Sequence, residues 1–163
     1  MSKLLYQMIN PPIRLLLKSP LHGLMSSNTL IIEFKGRKSG RTMTTPISYL
    51  QTDTLVQCFT GRPNIWWRNL QNAAPVRLLI KGQWQTVIPE VVLDDHETIK
   101  HTLDNFLRAV PRDASHSNVR LEADGTPNQQ DIDQAVGNLV LLKFSPVSRQ
   151  GSTSDESKIN RSD

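Results

Sequence analysis

From Thr29 to Lys35 the side chains alternate: Leu30, Ile32 and Phe34 fall on one side, Ile31, Glu33 and Lys35 on the other. That period of two predicts a half-buried strand. Met43 to Leu50 reads as its partner, with Ile47 and Tyr49 on one face. Pro46 has no N–H for a ladder, so it marks an edge or a bulge. Gln51 to Asp53 reads as a turn and Thr54 to Thr60 as a third strand. Pro75–Lys81 and Gln83–Val92 form a hairpin about Lys81-Gly82, and Asn138–Phe144 is the last strand. The spacing changes to that of a helix over Ile65–Asn72, and again after Asp94 or Asp95, either of which suits an N-cap. The second helix, running to about Arg108, carries Ile99, Leu103, Phe106, Leu107 and Val110 on one side. Arg112 to Gln130 is polar and irregular, and Gln129–Ala135 offers one or two helical turns.

Five or six strands, mostly in antiparallel hairpins, with one long helix predict an α+β domain built on a small barrel over residues 29–146. Ahead of it, residues 1–28 predict short helices, interrupted at Pro11-Pro12 and Pro20. Asn10-Pro11-Pro12 breaks any secretory h-region, and no apolar run approaches the roughly 20 residues of a membrane span. Arg14 and Lys18 among leucines suit either packing across the barrel mouth or peripheral contact with an anionic membrane. Residues 147–163, with Ile159 nearly alone as an apolar residue, predict a disordered tail.

Composition narrows the class. A chain of 163 residues, 37% hydrophobic and 21% charged, fits one folded domain. The single cysteine, Cys58, excludes an internal disulfide and makes a reducing, cytoplasmic setting the default. Its strand neighbours predict a buried, inert thiol. The net charge of +4 is unevenly placed: up to Arg68 there are nine Lys/Arg against only Glu33 and Asp53. The cations gather around one loop, which favours a small anion over nucleic acid, whose patches are broader and interleaved with aromatics. His96 and His101 stand five apart on one helix, roughly 140° round it, so they cannot grip one metal; no metal site is expected.

That loop is Gly36-Arg37-Lys38-Ser39-Gly40-Arg41. Glycines at both ends permit a tight curl with backbone N–H groups turned inward, ringed by Arg37, Lys38 and Arg41 and by the hydroxyls of Ser39, Thr44 and Thr45. Such a ring suits phosphate or carboxylate. The spacing is not that of a P-loop, and a solvated basic turn is the alternative. Downstream, Trp66 and Trp67 are the densest aromatic spot; Trp67 is expected to cover a flat ring system and Trp66 to pack in the core.

The order of these pieces resembles the deazaflavin (coenzyme F420)-dependent nitroreductase and quinone-reductase family. The likeness rests on Gly36–Arg41, the Thr44-Thr45-Pro46 strand, and a helix with tryptophan and Asn-Leu, here Trp67-Arg68-Asn69-Leu70, over roughly Leu16 to Val92. It implies a split β-barrel of the flavin-reductase (FMN-binding) type and hydride transfer from reduced F420 to a quinone, nitro compound or similar small acceptor. It further implies that Arg37, Lys38, Ser39, Gly40 and Arg41 hold the coenzyme's acidic tail. Thr44, Thr45, Pro46, Thr60, Arg62, Trp67 and Asn69 would line the rest, with Ser48-Tyr49 on the acceptor side. FMN is the alternative cofactor, a non-catalytic carrier of an anionic cofactor the alternative role, and a homodimer an expected assembly. Two departures stand out: the segment before the tryptophans is only Thr60-Gly61-Arg62-Pro63, and the chain's tyrosines are Tyr6 and Tyr49, with none in the C-terminal third.

Overall fold

A computed structural model describes residues 27–72 and 74–147. The expected N-terminal helices, the membrane contact attached to them and the tail lie outside these residues, apart from the turn at Ser27-Asn28 and from Val147. Seven strands form one antiparallel sheet: β1 (Thr29–Lys35), β2 (Thr42–Ser48), β3 (Leu50–Thr52), β4 (Leu55–Gly61), β5 (Val76–Ile80), β6 (Gln83–Val92) and β7 (Leu139–Pro146). Their order is β2-β1-β5-β6-β7-β4-β3. Two helices, α1 (His96–Ala109) and α2 (Gln129–Ala135), pack against it, with short 3-10 turns between elements.

The sheet curls because its longest strand serves two partners with different stretches. Gln83 to Val87 of β6 pairs with β5, while Val87 to Val92 pairs with β7. The staggered pairing wraps the sheet into a half-barrel that brings the edge strand β2 back against β4. Leu30, Ile32 and Phe34 point into the curl with Val56, Cys58, Leu78 and Phe144. A second core lies under the helices, where Ile99, Leu103, Phe106 and Leu107 meet Leu141 and Phe59. Ile31, expected on a polar face, is instead 1% exposed and packs with Leu79 and Trp84 outside the curl.

Three expectations need correction. There are seven strands among the described residues, because Gln51 and Thr52, read as turn, form with Leu50 a separate strand that pairs with Leu55–Gln57, and the chain reverses at Asp53, whose φ is 53°. Ile65–Leu70 is a 3-10 helix, not an α-helix. The polar stretch after Arg112 is ordered by 3-10 turns at Pro111–Asp113 and Ser115–Ser117 and by a bridge between Leu121 and Pro127. The hairpin at Lys81-Gly82 is as expected, both residues having positive φ, and Asp95 caps α1 by accepting from the Thr98 N–H at 3.0 Å. Cys58 is fully buried, and burial, with a smaller contribution from Asp113, pushes its thiol far above the ordinary cysteine range.

One carboxylate ties the polar excursion to α2. Asp131 Oδ2 accepts from the Arg120 backbone N–H at 2.9 Å and from Nε at 2.7 Å, and Oδ1 accepts from Nη2 at 2.9 Å. The Arg120 side-chain bonds, then its backbone bond, hold the Asp131 carboxyl down at about 2. A depressed folded pKa gives stability that is complete above the unfolded value of about 3.9 and fades as pH falls toward 2. Asp131→Asn should therefore lower the melting temperature at pH 7, and that penalty should shrink progressively as pH falls from about 4 toward 2. Thermal melts of both proteins across this range check it; a gap independent of pH would refute the assignment.

Candidate functional site

The loop between β1 and β2 closes on itself through its own backbone. Gly36 N–H donates to the Arg41 carbonyl at 2.9 Å, and Gly40 N–H to the Gly36 carbonyl at 2.7 Å. Arg41 N–H donates to Ser39 Oγ at 3.3 Å. Arg37 N–H is taken by the Asn69 side-chain carbonyl at 3.0 Å. The inward ring of N–H donors expected from the two glycines is thus spent largely inside the loop. The two glycines do different work. Gly40 supplies a φ of 64°, whereas a Cβ at Gly36 would lie 2.7 Å from Ser39 Oγ and 2.9 Å from Met43 Cε. What the loop shows the solvent is cations: Arg37, Lys38 and Arg41 are exposed, and none forms an ion pair with a described residue.

From the loop, β2 runs along a cavity of about 400 Å³. Thr45 and Pro46 form one wall with Ile47; Phe59, Thr60 and Gly61 of β4 form another. Asn64 and Trp66, and Asp113, His116 and Ser117 from the stretch after α1, also line the cavity. At about 3.3 Å per strand residue, roughly 16 Å separates Arg41 from Pro46, so cation cluster and cavity are two ends of one elongated site. Apolar flat walls beside buried hydroxyls, with cations at the far end, suit a planar ring carrying an anionic tail. The residues present fit such a group.

Asn69 joins the two ends. Its Oδ1 accepts from Arg37 N–H, while its Nδ2 donates to the Trp66 carbonyl at 2.8 Å. Trp66 in turn lies 5.7 Å, ring centre to ring centre, from Phe34.

The two tryptophans exchange the parts expected of them. Trp67 is 5% exposed, its indole N–H donates to the Arg62 carbonyl at 3.2 Å, and the Arg68 guanidinium covers its ring at 5.5 Å. Trp66 is half-buried and lines the cavity. The reason is the 3-10 geometry, in which residues three apart eclipse. Trp67 then shares the core face with Leu70, and Trp66 shares the site face with Asn69. The Trp-x-x-Asn spacing itself selects Trp66.

Other expected residues divide similarly. Thr45, Pro46 and Thr60 meet around the cavity, and Thr44 is buried beside them on β2. Arg62 turns elsewhere: its Nη2 donates to the Leu93 carbonyl and to Asp94 Oδ1 at 3.2 Å, pinning the approach to α1. Tyr49 is 4% exposed within the inner core, and burial raises its phenol above the ordinary range. Ser48 does reach the site's far end, donating to Asp113 Oδ1 at 3.1 Å. Arg112 braces that end, its Nη2 donating to Thr29 Oγ1 at 3.0 Å and to Ser48 Oγ at 3.4 Å, with Nε 3.5 Å from Asp113 Oδ1. Asp113, His116, Ser117 and Asn64 are wall residues that sequence reasoning missed, since they sit in irregular chain with no period to reveal them.

The fold is the split β-barrel of the flavin-reductase type. Similar solved structures share it: a pyridoxamine 5′-phosphate oxidase-related, FMN-binding protein of Nostoc punctiforme has 13% identity and a TM-score of 0.53, the match covering 83% of this chain and 79% of that one. A candidate 5-nitroimidazole antibiotic resistance protein of Bacteroides thetaiotaomicron has 15% identity and a TM-score of 0.51, over 75% and 74%. A third structure, described as a domain-swapped dimer, has 12% identity and a TM-score of 0.53, over 85% and 97%. No curated protein matches the sequence. Residues 19–112 match the model of the F420H(2)-dependent quinone reductase family, and the chain belongs to that family. Among the described residues, no helix is long and apolar enough to cross a membrane.

The tryptophan geometry gives a direct test. Trp67→Ala empties a core position and should cost about 3–5 kcal/mol. Trp66→Ala should melt close to wild type. Thermal denaturation of the two variants checks this; an early-melting Trp66→Ala beside a stable Trp67→Ala would reverse the placement. Gly40→Ala should also destabilise, because its φ of 64° is one that side-chain-bearing residues rarely adopt, and circular dichroism melts read that loss.

Proposed function

We propose that the chain is an oxidoreductase that binds reduced F420 and passes its hydride to a quinone, nitro compound or similar electron-poor acceptor. The observation that carries this reading is that β2 leads from a loop of three exposed cations to residues that wall a cavity with Trp66 and Phe59. The coenzyme, when bound, supplies the transferable hydride. Arg37, Lys38 and Arg41, with Ser39 and Gly40 shaping the loop, hold its phosphate and acidic tail by charge-assisted hydrogen bonds. Thr44 and Thr45 offer hydroxyls along β2, and Pro46 and Trp66 present apolar faces to the ring. Thr60 contributes a hydroxyl from β4, positioned by Asn64, whose Nδ2 donates to Thr60 Oγ1 at 3.3 Å. Asn69 acts indirectly by fixing Arg37 and Trp66 relative to one another. Arg62, Trp67 and Tyr49 support the walls from behind. Ser48 faces the acceptor end through its bond to Asp113. Closing these walls round the ring excludes water, which strengthens each electrostatic contact inside.

FMN is the second reading, supported by the FMN-binding protein of Nostoc punctiforme that shares the fold. Titration of the purified protein with F420 and with FMN, followed by fluorescence, separates the two. Hydrogen bonds to charged groups contribute about 1.5–3 kcal/mol each, so Lys38→Ala combined with Arg41→Ala should weaken F420 binding about 100-fold or more. Unchanged affinity in the double variant would overturn the loop's role. Oxidation of reduced F420 by menadione establishes turnover; binding without turnover would favour a carrier.

A further inference from the structure

Reducing a quinone takes a hydride and a proton, and the proton needs an acid beside the acceptor. Of the lining residues, only Asp113 and His116 carry acid–base side chains; the other walls offer hydroxyl, amide and apolar groups. Asp113 is engaged by Ser48, which donates to Oδ1, and by the Arg112 guanidinium 3.5 Å from the same oxygen. An ionised carboxylate held by a hydroxyl and a guanidinium accepts hydrogen bonds and has no proton to give. His116 is the group left, three residues further along the same excursion. It borders the cavity and is also exposed, so it can exchange protons with bulk water after each turnover. Tyr49, the tyrosine within the described residues, is sealed in the inner core and cannot serve.

We infer that His116 donates the proton that completes acceptor reduction, with Arg112, Asp113 and Ser48 as positioning residues that fix the 3-10 turns carrying it. This rests on the reading of the site as a reduced-deazaflavin reductase. Bound reduced deazaflavin would supply the hydride, two electrons with one hydrogen, its C–H bond breaking as an O–H bond forms at one quinone oxygen. The proton on a ring nitrogen of His116 passes to the quinone oxygen that has become negative, and the imidazolium becomes imidazole. Solvent reprotonates the ring, while the second proton lost by the oxidised deazaflavin goes to water. Product is the neutral hydroquinone. The charged side chain that shares the cavity wall with His116 is Asp113, on the same excursion; β2, β4, α1 and β7 add none to that wall.

His116→Ala, an exposed substitution that should leave the melting temperature unchanged, is the test variant. Single-turnover oxidation of reduced F420 by menadione should slow about 100-fold, at the low end of what general acid catalysis contributes. Added imidazole should restore much of the rate, and the fall in rate as pH rises through the histidine range should disappear. F420 affinity, read by fluorescence, should stay as in wild type. A readout independent of turnover is the His116 ring resonance in the protein bound to oxidised F420, which should shift when menadione is added. A variant with wild-type rate and pH profile, or a ring resonance blind to menadione, overturns the proton-donor role alone. Wild-type protein that neither binds F420 nor oxidises it with menadione overturns the reductase reading, and this inference with it.

Discussion

One side-chain amide holds the two halves of this site in register. Asn69 accepts the Arg37 N–H with its oxygen and donates to the Trp66 carbonyl with its nitrogen, so the cation loop and the aromatic wall share a single anchor. Each bond alone contributes about 0.5–1.5 kcal/mol to stability. Their joint effect is geometric. Without them, a six-residue loop with exposed cations would be free to swing relative to the cavity, and an elongated ligand would have to order it on binding. The 3-10 helix makes the arrangement possible, because its three-residue repeat stacks Trp66 above Asn69 on the side facing the site.

Around that anchor the molecule separates its tasks between two cores. The inner core of the curled sheet fixes β2 and β4, and thereby the flat walls and hydroxyls. The outer core, under α1 and α2, carries the excursion that closes the far end. Phe59 and Phe106 meet edge to face at 5.3 Å where the two layers join, and both border the cavity. The cavity therefore lies at the seam between layers rather than inside either one. The walls from β2 and β4 rest on strands, and the wall from Asp113 to Ser117 rests on short 3-10 turns braced by Arg112.

Much of this was legible in the chain itself. The alternation of β1, the Lys81-Gly82 turn, the α1 stripe and the basic loop each rest on local periods or on single residues with special backbone freedom. What was not legible depended on geometry that periodicity does not encode. Ile65 to Leu70 carries two adjacent tryptophans, and its hydrophobic pattern does not say which of them faces the core; the tertiary fold buries Trp67 with Leu70. Arg62 reads as a cation near a phosphate loop, but the chain path aims it at Leu93 and Asp94. The loop's N–H groups look available until Asn69, some thirty residues away, is brought beside them. Asp113 and His116 fall in a stretch with no period at all, and only the tertiary fold turns them toward the cavity.

Pro46 has a second consequence. It sits in β2, the strand at one border of the sheet, paired opposite Ile31 on one side only and exposed on the other. A border strand ordinarily presents a row of N–H and C=O groups that another chain can extend, which is the usual start of strand-to-strand aggregation. Proline has no N–H to contribute and its ring obstructs an incoming backbone. The residue that borders the cavity thus also blunts one of the sheet's two border strands.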